Sequence, residues 1–341
     1  MSLRIMAPYW TRPALLDSSR TFQVTLRSLA STAPTIALTS VSEAIPVCVE
    51  GAAPLPHNVV TFACTALGGK PGQMYDLRVH VGSQSATMPN AVSVLPQDTT
   101  TLSVLHCSDL HLLKPTPDST LEDRCVLIAA LVAHINLLDP DLVVCTGDLV
   151  SRYDPDKRAL SSEQIRWQIR RVKEILLGIR VPLFVTLGNH DAAFEATRPD
   201  WYTAMGGGWK GYTDDYSLDW GPYHLVMMDC FTHYDPQNIP LESSFTAEQI
   251  QWLRQDLLAT SASQLRLVFA HYDYHEHLPR IMEEGSLDLL FYGHAKGLYP
   301  QVLAENTVWD GHLADTQAYN LVHLTPRGIV SERVPWTNLV T

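Results

Sequence analysis

Five short stretches carry residue types that bind metal ions and move protons. They are SDLH with Asp109 and His111, TGD with Asp148, GNHD with Asn189, His190 and Asp191, AHYD with His271, and YGH with His294. Carboxylate and amide oxygens combined with imidazole nitrogens suit Mn, Fe, Zn or Ni. A carboxylate can bridge two ions, a role open to Asp148 in the middle stretch. Two metals about 3.5–4 Å apart can clamp the attacking and leaving oxygens of an in-line phosphoryl displacement. Glycines stand before Asp148, Asn189 and His294, where the backbone has to turn sharply. Two residues beyond His294 comes Lys296, whose ammonium group has no lone pair to give a metal.

Each stretch follows an apolar run that reads as a strand: 101–107, 141–145, 181–187, 265–270 and 288–292, with a further run at 223–229. Helical patterns lie between several of them, at Leu121–Leu138, 161–179 and 246–261. The last opens with a capping box, Thr246 with Gln249 three residues on. Strands alternating with helices predict an α/β domain from residue 99 to 341. In open α/β sheets, sites form at the carboxyl ends of the strands, so side chains far apart in sequence can converge there. Strand-like alternation returns at 318–334.

Residues 1–98 have a different texture. They are rich in Ser, Thr, Pro and β-branched residues, with short alternating runs such as TFQVTLRS and YDLRVHVGS separated by turn signals such as GGKPGQ. That pattern predicts a small all-β sandwich, and with no cluster of catalytic residue types it reads as an accessory domain.

Composition narrows the function classes. The 341 residues are 46% apolar and 18% charged, as in a globular protein. The formal net charge of -12 argues against a broad nucleic-acid surface, although bound divalent metals would offset part of it. No apolar run is long enough to span a membrane, and no secretory signal is visible at the N-terminus, so a cytoplasmic location is expected. The six cysteines are scattered without a CxxC pair and read as free thiols.

Taken in order, the five stretches resemble the calcineurin-like metallophosphoesterase superfamily, whose pattern runs D-x-H, G-D, G-N-H-[DE], a lone H, then G-H-x-H. The resemblance covers about residues 101 to 330 and implies the family's four-layer α/β/β/α sandwich. It also implies roles. Asp109, His111 and Asp148 hold a first metal; Asp148, Asn189, His271 and His294 hold a second. His190 binds the phosphate and protonates the leaving oxygen, Asp191 orients that imidazole, and a metal-bound hydroxide is the nucleophile. The implied reaction is hydrolysis of a small phosphoric ester, by a phosphodiesterase or a phosphomonoesterase, with Mn, Fe or Zn. Arg152, Tyr153, His275 and His277 are further candidates to face the substrate, and MGGGWKGY (205–212) reads as a loop that could cover the site. The remaining histidines read as structural or surface residues.

Lys296 departs from the pattern at the position of the first metal's last ligand. A unit charge about 4 Å from a divalent ion is repelled by about 8 kcal/mol at an effective dielectric near 20. The lysine therefore turns away while both metals bind, replaces the first metal as the local cation, or is neutral. The first outcome is the expectation. The related serine/threonine protein phosphatases also lack a histidine there. Purple acid phosphatases carry a tyrosine ligand three residues after the bridging aspartate, where Ser151 stands here. The domain order looks closer to bacterial cyclic-nucleotide or glycerophosphodiester phosphodiesterases. A different class is also open: a degenerate metallophosphoesterase that serves as a binding module.

Overall fold

A computed structural model of the chain describes residues 2–28, 32–112, 121–154, 158–192, 197–207, 214–230, 245–261, 264–271, 278–284, 286–294 and 318–335. Lys296, His275, His277 and residues 208–212 of the glycine-rich loop lie outside the described residues. By compactness the chain divides into two units, Met1–Asp98 with Leu177–Phe184, and Thr99–Leu176 with Val185–Thr341.

The N-terminal unit is built from β1 (Arg4–Ala7), β2 (Ala14–Leu16), β3 (Thr21–Arg27), β4 (Thr35–Thr39), β5 (Ala44–Leu55), β6 (Val59–Ala66), β7 (Met74–Val81) and β8 (Gln84–Val94). They hydrogen-bond into one sheet in the order β1-β3-β6-β5-β4-β7-β8-β2. Strict alternation along β7 buries Tyr75, Leu77, Val79 and Val81 on one face. Ile5 from one edge strand and Leu16 from the other belong to the same buried cluster. A flat eight-stranded sheet could not bring both edges to one core, so the sheet curls over on itself and its two halves face each other as a sandwich.

The rest of the chain contains β9 (Leu102–Cys107), α1 (Leu121–Leu138), β10 (Leu142–Cys145), α2 (Ser162–Leu176), β11 (Leu183–Val185, which straddles the division between the units), α3 (Asn189–Ala192) and α4 (Arg198–Met205). There follow β12 (Tyr216–Trp220), β13 (Tyr223–Met228), α5 (Ala247–Ala259), β14 (Leu265–Ala270), α6 (Leu278–Glu283), β15 (Leu289–Phe291), β16 (Ala318–Thr325) and β17 (Gly328–Pro335). One sheet has the order β11-β10-β9-β16-β17 and the other β12-β13-β14-β15. Within them β9 and β10 are parallel, as are β13, β14 and β15.

The two sheets face each other. The ring of His106 on β9 packs edge-on against Phe291 of β15 at 5.4 Å, and Phe291 stacks on Phe269 of β14 at 4.4 Å. Burial on both faces explains why β10 (LVVC), and β13 (YHLVMM) apart from His224, are apolar rather than alternating. Helices cover the outer faces. His134 of α1 bonds the Tyr319 hydroxyl on β16, and Asp256 of α5 accepts from Ser217 on β12. The result is the four-layer α/β/β/α arrangement. α5 starts with the predicted capping box: Gln249 N–H donates to the Thr246 hydroxyl, and the Thr246 N–H donates to the Gln249 side chain. On the outside, β17 is a charged edge strand carrying Glu332 and Arg333, which discourages pairing with another chain.

Candidate metal centre

The eight residues of the five stretches sit just past the carboxyl ends of β9, β10, β11, β14 and β15. The turns that carry them are strained. Asp109 (φ 57°), His111 (φ 44°), Asp148 (φ 54°) and His294 (φ 65°) all adopt the left-handed region, four of the nine described non-glycine residues that do so. Each such residue costs on the order of 1–3 kcal/mol and persists only where its surroundings hold it, which is common at functional sites. Main-chain bonds lace the first two turns together: the N–H groups of Asp109, His111 and Leu112 donate to the carbonyls of Gly147, Asp148 and Leu149. The glycines are required by close approach. A Cβ on Gly188 would strike the backbone nitrogen and carboxylate of Asp148, and one on Gly293 would strike Ser108 and Asp109.

Asp148 is the hub. Its Oδ1 accepts the His190 backbone N–H at 2.8 Å. Its Oδ2 lies 3.4 Å from His271 Nε2, 3.6 Å from His111 Nε2 and 4.0 Å from His190 Nε2. Burial opposes the charge of Asp148, but the imidazoles, His271 and His190 foremost, hold its carboxyl well below the usual carboxylate range. On one side Asp109 Oδ1 approaches His111 Nε2 at 3.5 Å, while Asp109 Oδ2 accepts the His294 backbone N–H at 3.0 Å. On the other, Asn189 Oδ1 lies 3.1 Å from His271 Nε2 and 2.8 Å from His294 Nδ1.

Ligand-capable atoms gather into two groups that share Asp148: His111, Asp148 and His190, and Asp148, His271 and His294. Within each group they lie within 4.8 Å of one another. The donor chemistry fits first-row divalent ions. The outer partners fit as well. His271 Nδ1 donates to the Thr146 carbonyl at 2.6 Å and His111 Nδ1 to the Val150 carbonyl at 3.3 Å, so both rings turn Nε2 inward. Burial depresses His271, yet Asp148, and after it Asp109 and the Thr146 carbonyl, raise its pKa to about 9.

Asp191 departs from the expected arrangement. Its carboxylate accepts the backbone N–H groups of Asp148 (2.8 Å), Gly188 (3.0 Å) and Val150 (3.2 Å) and makes no bond to the His190 ring. It braces two ligand turns instead of orienting the imidazole. The Arg152 backbone N–H performs that task, donating to His190 Nδ1 at 3.1 Å. The reason is geometric: the side chain of Asp191 points from α3 toward the N–H groups left open as the chain leaves β10. Burial lowers the pKa of His190 to about 4, with Asp148 pulling the other way. His190 and the 37%-exposed Tyr153 meet edge to face at 6.1 Å, and the Arg152 guanidinium lies over the Tyr153 ring at 4.9 Å.

Thr146 and Val150 act here through main-chain carbonyls, which any residue could supply, so the sequence carries no signal for them; Arg152 was signalled by its nearness to Asp148, but it acts through its backbone N–H. Tyr153 was signalled only by its nearness to Asp148.

Comparison with known proteins gives a consistent result. The family model for calcineurin-like phosphoesterases matches residues 102–295. The chain is 33% identical over 99 residues to UDP-2,3-diacylglucosamine pyrophosphatase LpxG of Chlamydia trachomatis serovar D, and 30% identical to that of Chlamydia muridarum. Those matches cover 28% of this chain and 25% of each relative, so the chain spans about a quarter of the length of the curated relatives it matches. A solved dimetal phosphatase from Danio rerio aligns with a TM-score of 0.46 at 14% identity, over 69% of this chain and 96% of that one. Because the family model spans more than half of the sequence, the chain belongs to the calcineurin-like phosphoesterase family of metal-dependent phosphoester hydrolases.

Proposed function

We propose that residues 99–341 form a two-metal hydrolase of small phosphoric esters and that residues 1–98 are an accessory domain. Asp109, His111 and Asp148 would hold one ion. Asp148, Asn189, His271 and His294 would hold the other. When bound, such ions supply Lewis-acid charge and lower the pKa of water to about 7.

The chain's own residues do the rest. Thr146 and Val150 fix the ring orientations of His271 and His111. Asp191 ties the Gly147–Asp148 turn to the start of α3. The Arg152 N–H occupies Nδ1 of His190, so the neutral ring carries its proton on Nε2, the nitrogen that faces Asp148. The His190 side chain is 17% exposed against 3% for His111 and 0% for His271, so it is open to a substrate where those two rings are not. It would hydrogen-bond the leaving oxygen through the Nε2 proton and so stabilise the charge that develops there. The observation that carries this reading is the convergence of three imidazole nitrogens on one carboxylate oxygen of Asp148.

Metal-free protein should be assayed with an aryl phosphomonoester, an aryl phosphodiester and a nucleoside-diphosphate-linked ester after addition of Mn, Zn or Fe. The last substrate is included because the LpxG relatives are named as pyrophosphatases. Metal-dependent turnover of at least one is expected. A folded protein inert with every metal would contradict the hydrolase reading and favour the binding module. Lys296 bears on ion number: one ion per chain, on the Asn189 side, would mean that the ammonium has taken the first ion's place.

A further inference from the structure

The Leu110 carbonyl is an unusual group. It lies between Asp109 and His111, both in the left-handed region, and Leu110 is fully buried. The N–H groups of Asp109, His111 and Leu112 already donate to the Gly147–Leu149 turn, and the Leu110 carbonyl lies outside any strand. A buried carbonyl without a sheet partner needs another donor. Arg124, in the first turns of α1 and only 5% exposed, supplies it: Nε donates to the Leu110 carbonyl at 2.9 Å and Nη2 donates to the same oxygen. The turn carrying Asp109 and His111 is therefore held from both sides, by the Asp148 turn and by a charged fork from a helix.

We propose that Arg124 is the positioning residue of the first ion site, fixing the Asp109–Leu110–His111 turn so that both side chains present their ligand atoms together. This rests on the two-ion reading above. The turn that Arg124 holds carries two ligands of the first ion, Asp109 and His111, and touches the second ion's ligands only through the Asp109 bond to the His294 N–H, so its loss should weaken the first ion more than the second. Partners that orient metal ligands typically change metal affinity by about 10–100-fold when removed.

The test is titration of the metal-free full chain with Mn²⁺, followed by calorimetry and electron paramagnetic resonance, for wild type, Arg124→Gln and Arg124→Lys. Wild type is expected to bind two Mn²⁺ with a spin-coupled signal. Arg124→Gln should bind one ion about 10–100-fold more weakly and the other with a much smaller loss, leaving an uncoupled signal at two equivalents. Arg124→Lys keeps the charge and a donor; it should fold and recover part of the lost affinity. Should Arg124→Gln be too unstable to titrate, Arg124→Lys alone decides, since a positioning role requires weakening at one site. Two ions bound with unchanged affinity in both variants, or equal weakening of both ions, would overturn the proposal. Fewer than two Mn²⁺ on wild type would overturn the two-ion reading itself, and the proposal with it, whatever the variants do.

Discussion

The Arg152 backbone N–H donates to Nδ1 of His190 at 3.1 Å, which leaves Nε2 as the proton-bearing nitrogen of the neutral ring. A hydrogen-bond donor to the leaving oxygen matters most when that oxygen is a poor leaving group. His190→Gln should therefore reduce turnover of alkyl phosphoesters by about 10²–10⁴-fold and that of 4-nitrophenyl esters much less. Comparing kcat across a leaving-group series measures this. An equal loss for all leaving groups would assign His190 to binding or metal ligation rather than to the leaving oxygen.

Metal binding should stabilise the fold, because ions would replace the crowding of imidazoles around the Asp148 carboxylate. Adding Mn²⁺ at about 100 times its Kd to chelator-stripped protein should add about 2.7 kcal/mol to the unfolding free energy per site. Asp148→Asn, which removes the shared charge, should abolish most of that increment. Urea unfolding with and without Mn²⁺ reads it directly; an increment unchanged in Asp148→Asn would place the metal elsewhere.

Gly188 allows no side chain, because its Cβ position is taken by the backbone nitrogen and carboxylate of Asp148. Backbone cannot swing aside as a flexible side chain can. Gly188→Ala should cost about 1–3 kcal/mol of stability and also weaken Mn²⁺ binding, since Asp148 has to move. Thermal melts and metal titration of the same sample check both effects. Wild-type metal affinity in this variant would mean that the Asp148 turn is not held as described.

Away from the site, His224 is held between two carboxylates, with Nδ1 2.8 Å from Asp219 and Nε2 2.8 Å from Asp256. Burial opposes protonation, but the two carboxylates win and raise its pKa to about 9. The folded value exceeds the unfolded one, so the stabilisation is complete below about pH 6.5 and is lost as pH rises through about 9. Asp219 is solvent-exposed, which limits the contribution to about 1–2 kcal/mol. The stability difference between wild type and His224→Gln should shrink over that range in urea titrations. A pH-independent difference would show that the contact is only packing.

The sequence made the strand ends legible because β10, β13 and the last four residues of β14 are buried on both faces and stand out as largely apolar runs. The capping box at Thr246 was legible for a local reason, since its four residues make their bonds among themselves. β12 was not anticipated: YSLDW mixes buried Tyr216 and Trp220 with an exposed Asp219 and shows no clean period. At the site, residue types and order announced Asp148 and the histidines. They could not announce that Asp191 serves three backbone N–H groups, or that Arg124 reaches back to Leu110, because those bonds depend on how turns far apart in sequence meet.

The most direct test of the account is anomalous scattering from crystals of the protein grown with Mn²⁺. Two peaks about 3.5–4 Å apart are expected, one on each side of the Asp148 carboxylate, the first by Asp109 and His111 and the second by Asn189, His271 and His294. The absence of any peak within ligand distance of Asp148 would contradict it.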